Sequence, residues 1–209
     1  MGVMTLSTGT YPKGVARRAE IVAAATRSFS RAGFDGTSIL EIAGDVGISR
    51  AGLLHHFRSK EELLLAVLAE RERIDRVVFV ESGSQEPGGL GVLRGMVRLA
   101  RLNEGRPAMV RLFVVLSAEA TETSHPSHQY FREHFSRIVA GTARALTQVR
   151  GVGLLRADVE PESFARDLIA LQEGLQLQWL MHPEHASIAE PLETWIQSVL
   201  LCPLWGDDA

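Results

Sequence analysis

The stretch from Thr37 to Leu63, TSILEIAGDVGISRAGLLHHFRSKEEL, constrains this chain most, because it contains two short helices, a glycine stop and the start of a third helix. Isolated helices shorter than about 12–15 residues are marginal in water, so each must be capped at its ends and buried on one face. Ser38 is positioned to accept from an amide three residues on while Glu41 reaches back to the cap, a capping box that opens a helix. Ile39, Ile42, Ala43 and Val46 recur at three- and four-residue steps and form its buried face. Gly47 ends it, since glycine tolerates the left-handed conformation of a helix stop, and Ile48 turns back into the core.

Ser49 caps the next helix, in which Leu53 and Phe57 point inward. Arg50, Ala51, Gly52, Leu54, His55 and part of His56 are then left outside. A helix that enters a major groove needs a slim leading end and donors that reach phosphates or base edges. Ala51 and Gly52 supply the slimness and Arg50 the donors. Ser59 and Glu62 form a second capping box, and Lys60 places a cation on the first turn, against the helix dipole, which implies an anion nearby. The layout is that of a helix-turn-helix reader of DNA.

The motif residues Gly33-Phe34, Thr37-Ser38, Ile42-Ala43, Gly47-Ile48-Ser49, Leu53, His55-His56-Phe57 and Ser59-Lys60-Glu61 resemble those of the TetR-like one-component transcriptional regulators. The resemblance implies that Thr37, Ser38, His55, His56 and Lys60 hold phosphates, while Ser49, Arg50, Ala51 and Gly52 lie nearest the bases. Leu54 belongs to the same tip, although the family usually has tyrosine there. The partners implied are an operator duplex, a second copy of the chain and a small-molecule effector, with no cofactor.

With 209 residues the chain is long enough for a second core beyond the reader. Residues 1–60 hold eight Lys or Arg against four acids, and the remainder holds 14 against 21, so attraction to phosphates is confined to one end. Three parts are expected: a flexible arm over 1–13, a DNA-binding domain over 14–60, and a regulatory and dimerisation domain over 61–205. Lys13, Arg17 and Arg18 are placed where they could reach a neighbouring groove, or be solvated. One cysteine, Cys202, and no apolar run of about 20 residues point to a cytoplasmic protein that makes no membrane contact.

The fold class expected is all-α, with about nine helices. The first runs from Gly14 to Ala32, and later ones cover Glu61 to about Val80, Leu90–Asn103, a helix opened by Pro107, Ser127–Gln148, Pro161–Met181 and Ser187–Leu201. Two apolar stripes, Phe164, Leu168, Leu171, Leu175 and Trp179 on one helix and Ile188, Leu192, Trp195, Ile196 and Val199 on the last, suit a dimer interface or a monomer core. Gln172, Gln176 and Gln178 suit its rim. The family resemblance implies a four-helix bundle between subunits built from this pair.

Met96, Leu99, Met109, Phe113, Leu116, Phe131 and Phe135 form an excess of flexible or aromatic apolar groups in the middle helices, with Arg111 and Arg137 able to pair an anion. They read as core, and by resemblance some line an effector cavity that takes a small, largely apolar molecule. Two rival functions are a metal-dependent sensor or hydrolase using His125 and His128, with Glu122 and His134 nearby, and a helical dimer that binds protein without DNA. Pro126 interrupts the spacing that would align His125 and His128, and Cys202 has no basic neighbour in sequence to make it a nucleophile, so neither a metal site nor an enzyme is expected.

Overall fold

The computed structural model describes residues 10–206, with side chains from residue 14 onward. Among the described residues there are nine helices and no strand: α1 (Thr10–Ala32), α2 (Ile39–Asp45), α3 (Arg50–His56), α4 (Lys60–Glu81), α5 (Leu90–Glu104), α6 (Pro107–Glu119), α7 (His128–Gly151), α8 (Pro161–Met181) and α9 (Ala189–Gln197). The described part of α1 takes in Thr10, so residues 10–13 are helical instead of belonging to an arm. The rest of the expected arm and the side chain of Lys13 lie outside the described residues. Arg17 pairs with Glu20 and donates to the Val46 carbonyl, and Arg18 lies 4.2 Å over the Phe57 ring, so both brace the reader.

Two hydrophobic cores organise the chain. The first gathers Ile21, Ala25 and Phe29 of α1, Ile42 of α2, Leu53 of α3 and Phe57 around Leu63, Leu64, Val67 and Leu68 of α4. Leu112, Phe113 and Leu116 of α6 and Phe131 of α7 close it from the other side. The second is built from α5, α7, α8, α9 and the C-terminal turn. The core that holds the reader therefore runs past residue 60, and α4 is shared. Its 22 residues span roughly 33 Å at 1.5 Å per residue without a break.

α9 is shorter than the sequence predicts. After Gln197 the chain leaves the helix to pair with the segment following α7: Arg156 N donates to Val199 O at 3.0 Å and Leu201 N to Leu154 O at 2.9 Å, around an isolated antiparallel bridge of Leu155 with Leu200. These bonds satisfy backbone groups that a further helical turn would otherwise have used.

The apolar stripes of α8 and α9 face inward. Phe164, Leu168, Leu175, Trp179, Ile188, Leu192, Ile196 and Val199 are buried in the second core of a single protomer, and Leu171 is half-buried. They correct the expectation of an intersubunit seam, because α8 packs between α7 and α9 and covers its own stripe. Gln176 is likewise buried. Of the expected stripes only Trp195 is exposed, stacked on Phe164 at 6.0 Å between ring centroids, and Gln178 of the expected rim is exposed as well. On α8 the large apolar residues that face outward are Leu177, 46% exposed, and Met181, 66% exposed.

α5 approaches the end of α4 so closely that a Cβ on Gly91 would run into the carbonyl oxygen of Gly83. Gly91→Ala should therefore lower stability by about 1–3 kcal/mol, read as a fall in the urea midpoint, because backbone cannot yield as a side chain would.

Candidate nucleic-acid interface and an interior cavity

The reader tip is a capped, narrow helix end. Ser49 Oγ accepts from Gly52 N at 3.0 Å, which opens α3 as predicted. Ser49, Arg50, Ala51 and His55 are exposed, and Gly52, Leu54 and His56 are half-buried on the same outward surface, while Leu53 and Phe57 are fully buried beneath. The His55 and His56 rings meet edge-on at 5.7 Å. Gly47, at φ 67°, makes the stop between α2 and α3 in the left-handed region where a side chain is disfavoured.

The capping boxes close differently from their expected form. Ser38 accepts from Leu40 N at 3.1 Å, and Glu41 pairs with Arg31 at the end of α1 instead of returning to the cap. At α4, Ser59 accepts from Glu62 N at 3.2 Å, while Glu62 accepts from Arg58 N at 2.8 Å, one residue before the cap. Of the residues assigned to phosphates, Ser38 is exposed, whereas Thr37 is buried and its hydroxyl donates to Gly33 O at 2.7 Å. Thr37 thus fastens the α1–α2 turn.

Lys60 has protein partners. Its ammonium donates to Phe34 O at 2.9 Å and Thr37 O at 3.2 Å and lies 4.2 Å over the Phe34 ring. The carbonyls and the ring supply the negative partner expected of an anion. Phe34 is gripped from the far side as well: its N–H donates to Glu119 Oε2 at 2.9 Å and its ring meets His125 edge-on at 5.3 Å. The turn between α1 and α2 is therefore clasped by α4 and by the α6–α7 connection. Sequence reading missed Glu119, because nothing in its local pattern identifies a partner 85 residues away.

A cavity of about 370 Å³ opens between α4, α5, α7 and α8. Phe79, Met96, Leu99 and Ile138 give it apolar walls, and Arg71, Asp75 and Glu173 a charged one. Arg71 is 5% exposed, its guanidinium carbon is 3.7 Å over the Phe113 ring, and its nearest carboxylate contact is Asp75 at 3.8 Å, beyond hydrogen-bonding distance. Its Nη1 is buried with no hydrogen-bond partner among the described residues. Burial pushes the Glu173 carboxyl up to about 7, against the opposing pull of Arg71 and a hydrogen bond from Gln176. Burial also raises Asp75, although Arg71 opposes it. His134 is driven down to about 4 by burial and by Arg71 and Arg137, so its ring is neutral near neutral pH.

Three of the nine expected pocket residues, Met96, Leu99 and Arg137, line this cavity. Arg137 already pairs with Glu72. Leu116, Phe113 and Phe131 lie in the reader's core, where α6 packs on α1. Met109 lines a separate pocket between α1 and α4, Phe135 a third between α7 and α8, and Arg111 is exposed on the outer face of α6. His125 and His128 are turned to separate partners: His125 Nδ1 lies 2.9 Å from Ser127 Oγ, and His128 Nδ1 lies 2.8 Å from Ala120 O. Among the described residues no cluster of three or more metal-ligating side chains occurs, and no helix is long and apolar enough to cross a membrane.

Comparison with known proteins agrees with this geometry. Residues 21–67 match the family model described as bacterial regulatory proteins, tetR family, and residues 93–200 match the C-terminal model of BetI-type transcriptional repressors. The chain is 26% identical to the HTH-type transcriptional regulator TtgR of Pseudomonas putida, covering 88% of this chain and 89% of that protein. It is 25% identical to the HTH-type transcriptional repressor AcnR of Corynebacterium jeikeium, covering 90% and 93%. Its fold is similar to that of SmeT, repressor of the Stenotrophomonas maltophilia multidrug efflux pump SmeDEF, solved in complex with triclosan, at TM-score 0.73, 18% identity and coverage of 91% and 94%.

Lys60 and Arg50 should separate in experiment. Lys60→Ala is expected to lower unfolding free energy by about 1–3 kcal/mol in urea titration, since it removes charge-assisted bonds to two carbonyls. Arg50→Ala should leave stability within about 0.5 kcal/mol. In a binding-site selection assay it should relax preference at one base position by about 1–3 kcal/mol.

Proposed function

The chain belongs to the TetR family of bacterial regulatory proteins, DNA-binding transcriptional regulators and not enzymes, and we propose that it acts as a homodimeric repressor released by a small molecule in the α4–α8 cavity. The observation that carries this reading is α4 itself. Its first turns hold the reader and its later turns, from Arg71 to Phe79, form the cavity wall, so a ligand there acts on the helix that positions α3. The distance from Lys60 to Arg71 along the helix is roughly 16 Å. Glu119 and His125 give α6 and α7 a second hold on the same turn.

In this reading α3 enters the major groove with Arg50, Ala51 and Gly52 leading, and Ser38, His55 and His56 flank it toward the phosphates. Thr37 and Lys60 act from behind, by fixing the turn. The exposed Arg58 is a further cation at the same end. A pseudo-palindromic operator follows from two-fold symmetry, with half-sites about 34–36 Å apart or a multiple of that.

The second subunit is assigned to the outer faces of α8 and α9. Ala170, Gly174, Leu177 and Met181 recur at helical spacing on the side of α8 away from its own core, with Gln178 beside them, and Trp195 is exposed on α9. A small residue, Gly174, at the middle of this face lets a partner backbone approach. The effector is a small molecule with an apolar body, as Phe79, Met96, Leu99 and Ile138 support, and with a polar group to meet the charged wall.

Gel-shift titration against the duplex flanking its own gene tests the DNA reading, with a log–log salt slope that steepens with each phosphate contacted. Leu177→Arg should convert the dimer to monomer in sedimentation velocity and weaken operator affinity at least about tenfold while the monomer stays helical by circular dichroism. A monomeric wild type, or equal affinity for every duplex at low salt, contradicts the proposal.

A further inference from the structure

The cavity wall is electrostatically lopsided, in a way that selects among ligands. Three cations and three acids lie around it, yet they are unequally matched. On α4, Glu72 is paired with Arg137 of α7, and Arg76 is exposed to solvent. Asp75 lies 3.8 Å from Arg71 and also feels Arg106 at the head of α6. On α8, Glu173 has one hydrogen bond, at 3.2 Å, from the neutral amide of Gln176, with Gln172 beside it. His134 of α7 is neutral, and α5 adds Val92, Met96 and Leu99, which carry no charge.

Buried carboxyls can shed their mismatch by taking up a proton, and Asp75 and Glu173 are both shifted in that direction. An arginine cannot lose its charge, because its guanidinium stays protonated above pH 12 or so. The charged group left without a match is therefore Arg71, nine-tenths buried, whose Nη1 has no hydrogen-bond partner among the described residues. A guanidinium in that state is completed by an acceptor, best by a bidentate anion.

Resting on the cavity reading above, we infer that the effector is an amphiphilic acid, an aliphatic or aromatic body lying against Phe79, Met96, Leu99 and Ile138 with one carboxylate seated on Arg71. Glu173, protonated, donates to the same carboxylate and completes the site. At neutral pH, binding then draws part of a proton from solvent onto Glu173. The bound anion raises the affinity of Glu173 for its proton, so the two bind cooperatively. As pH rises above about 7, the ionised Glu173 repels the ligand and affinity falls, approaching tenfold per pH unit.

The test uses the purified full chain and two matched series, octanoate, octanol and octylamine, and phenylpropanoate, phenylpropanol and phenylpropylamine, titrated by calorimetry in two buffers of different ionisation heat. The acids are expected to bind at least about tenfold tighter than their alcohols and amines, with proton uptake that depends on Glu173. Glu173→Gln should abolish the proton uptake and the loss of affinity above neutral pH. Arg71→Met should weaken the acids about tenfold or more and leave the alcohols unchanged. Should Arg71→Met fail to fold, Glu173→Gln decides alone, since it improves acid binding at about pH 8 and weakens an amine.

Amines or alcohols that match or exceed the acids, a Glu173→Gln variant that weakens the acids, or no binding by any of the six compounds overturns the inference. Operator release is measured in parallel with each compound. Release by an alcohol or amine alone sinks the acidic effector and keeps the regulatory cavity, whereas acids that bind without releasing DNA sink the regulatory reading and keep the acid site.

Discussion

One continuous helix, α4, sets the terms for the rest of the molecule. Its N-terminal half contributes Leu63, Leu64, Val67 and Leu68 to the core beneath α2 and α3, and its C-terminal half carries Arg71, Asp75 and Phe79 on the cavity wall. An unbroken helix thus links the two regions, with no interruption between Leu68 and Arg71. The reader is too small to fix its own orientation. It takes that from Lys60, which pins Phe34 and Thr37, and from Glu119 at the end of α6, which pins Phe34 from the other side.

Charged residues serve opposite ends in opposite ways. Near α3 they are exposed, where solvent screens them and phosphates can replace it. Around the cavity they are withdrawn from water, which leaves Arg71 Nη1 without an acceptor among the described residues and holds Glu173 near half-protonation at neutral pH. The same residue types are thus solvated at one end and withdrawn from water at the other.

Most helices were legible to within a few residues, because capping serines, prolines and glycines act locally, although α7 runs to Gly151, three residues past the expected Gln148. Pro161–Met181 is read directly from its proline and its 3.6-residue period. α9 was overextended, since its end depends on pairing with Leu154 and Arg156, far earlier in the chain. The same limit explains the stripes of α8: a row of Phe164, Leu168, Leu175 and Trp179 must be buried, but periodicity does not say whether by the same chain or a second one. One cue for the cavity was available. Arg71 falls on the buried side of α4, following Leu64, Val67 and Leu68 at helical spacing, where an ion is out of place.

What the sequence determined by itself was the all-helical class, the position of the turn at Gly47 and the slim tip from Ser49 to Gly52, because these follow from backbone conformation and side-chain size within a few residues. Tertiary structure alone decided that Thr37 and Lys60 face inward, that the stripes of α8 and α9 complete a protomer core, and that Arg71, Asp75 and Glu173 share one cavity. Those outcomes depend on which distant surface reaches each residue first, and burial against it sets partner, charge state and exposure together.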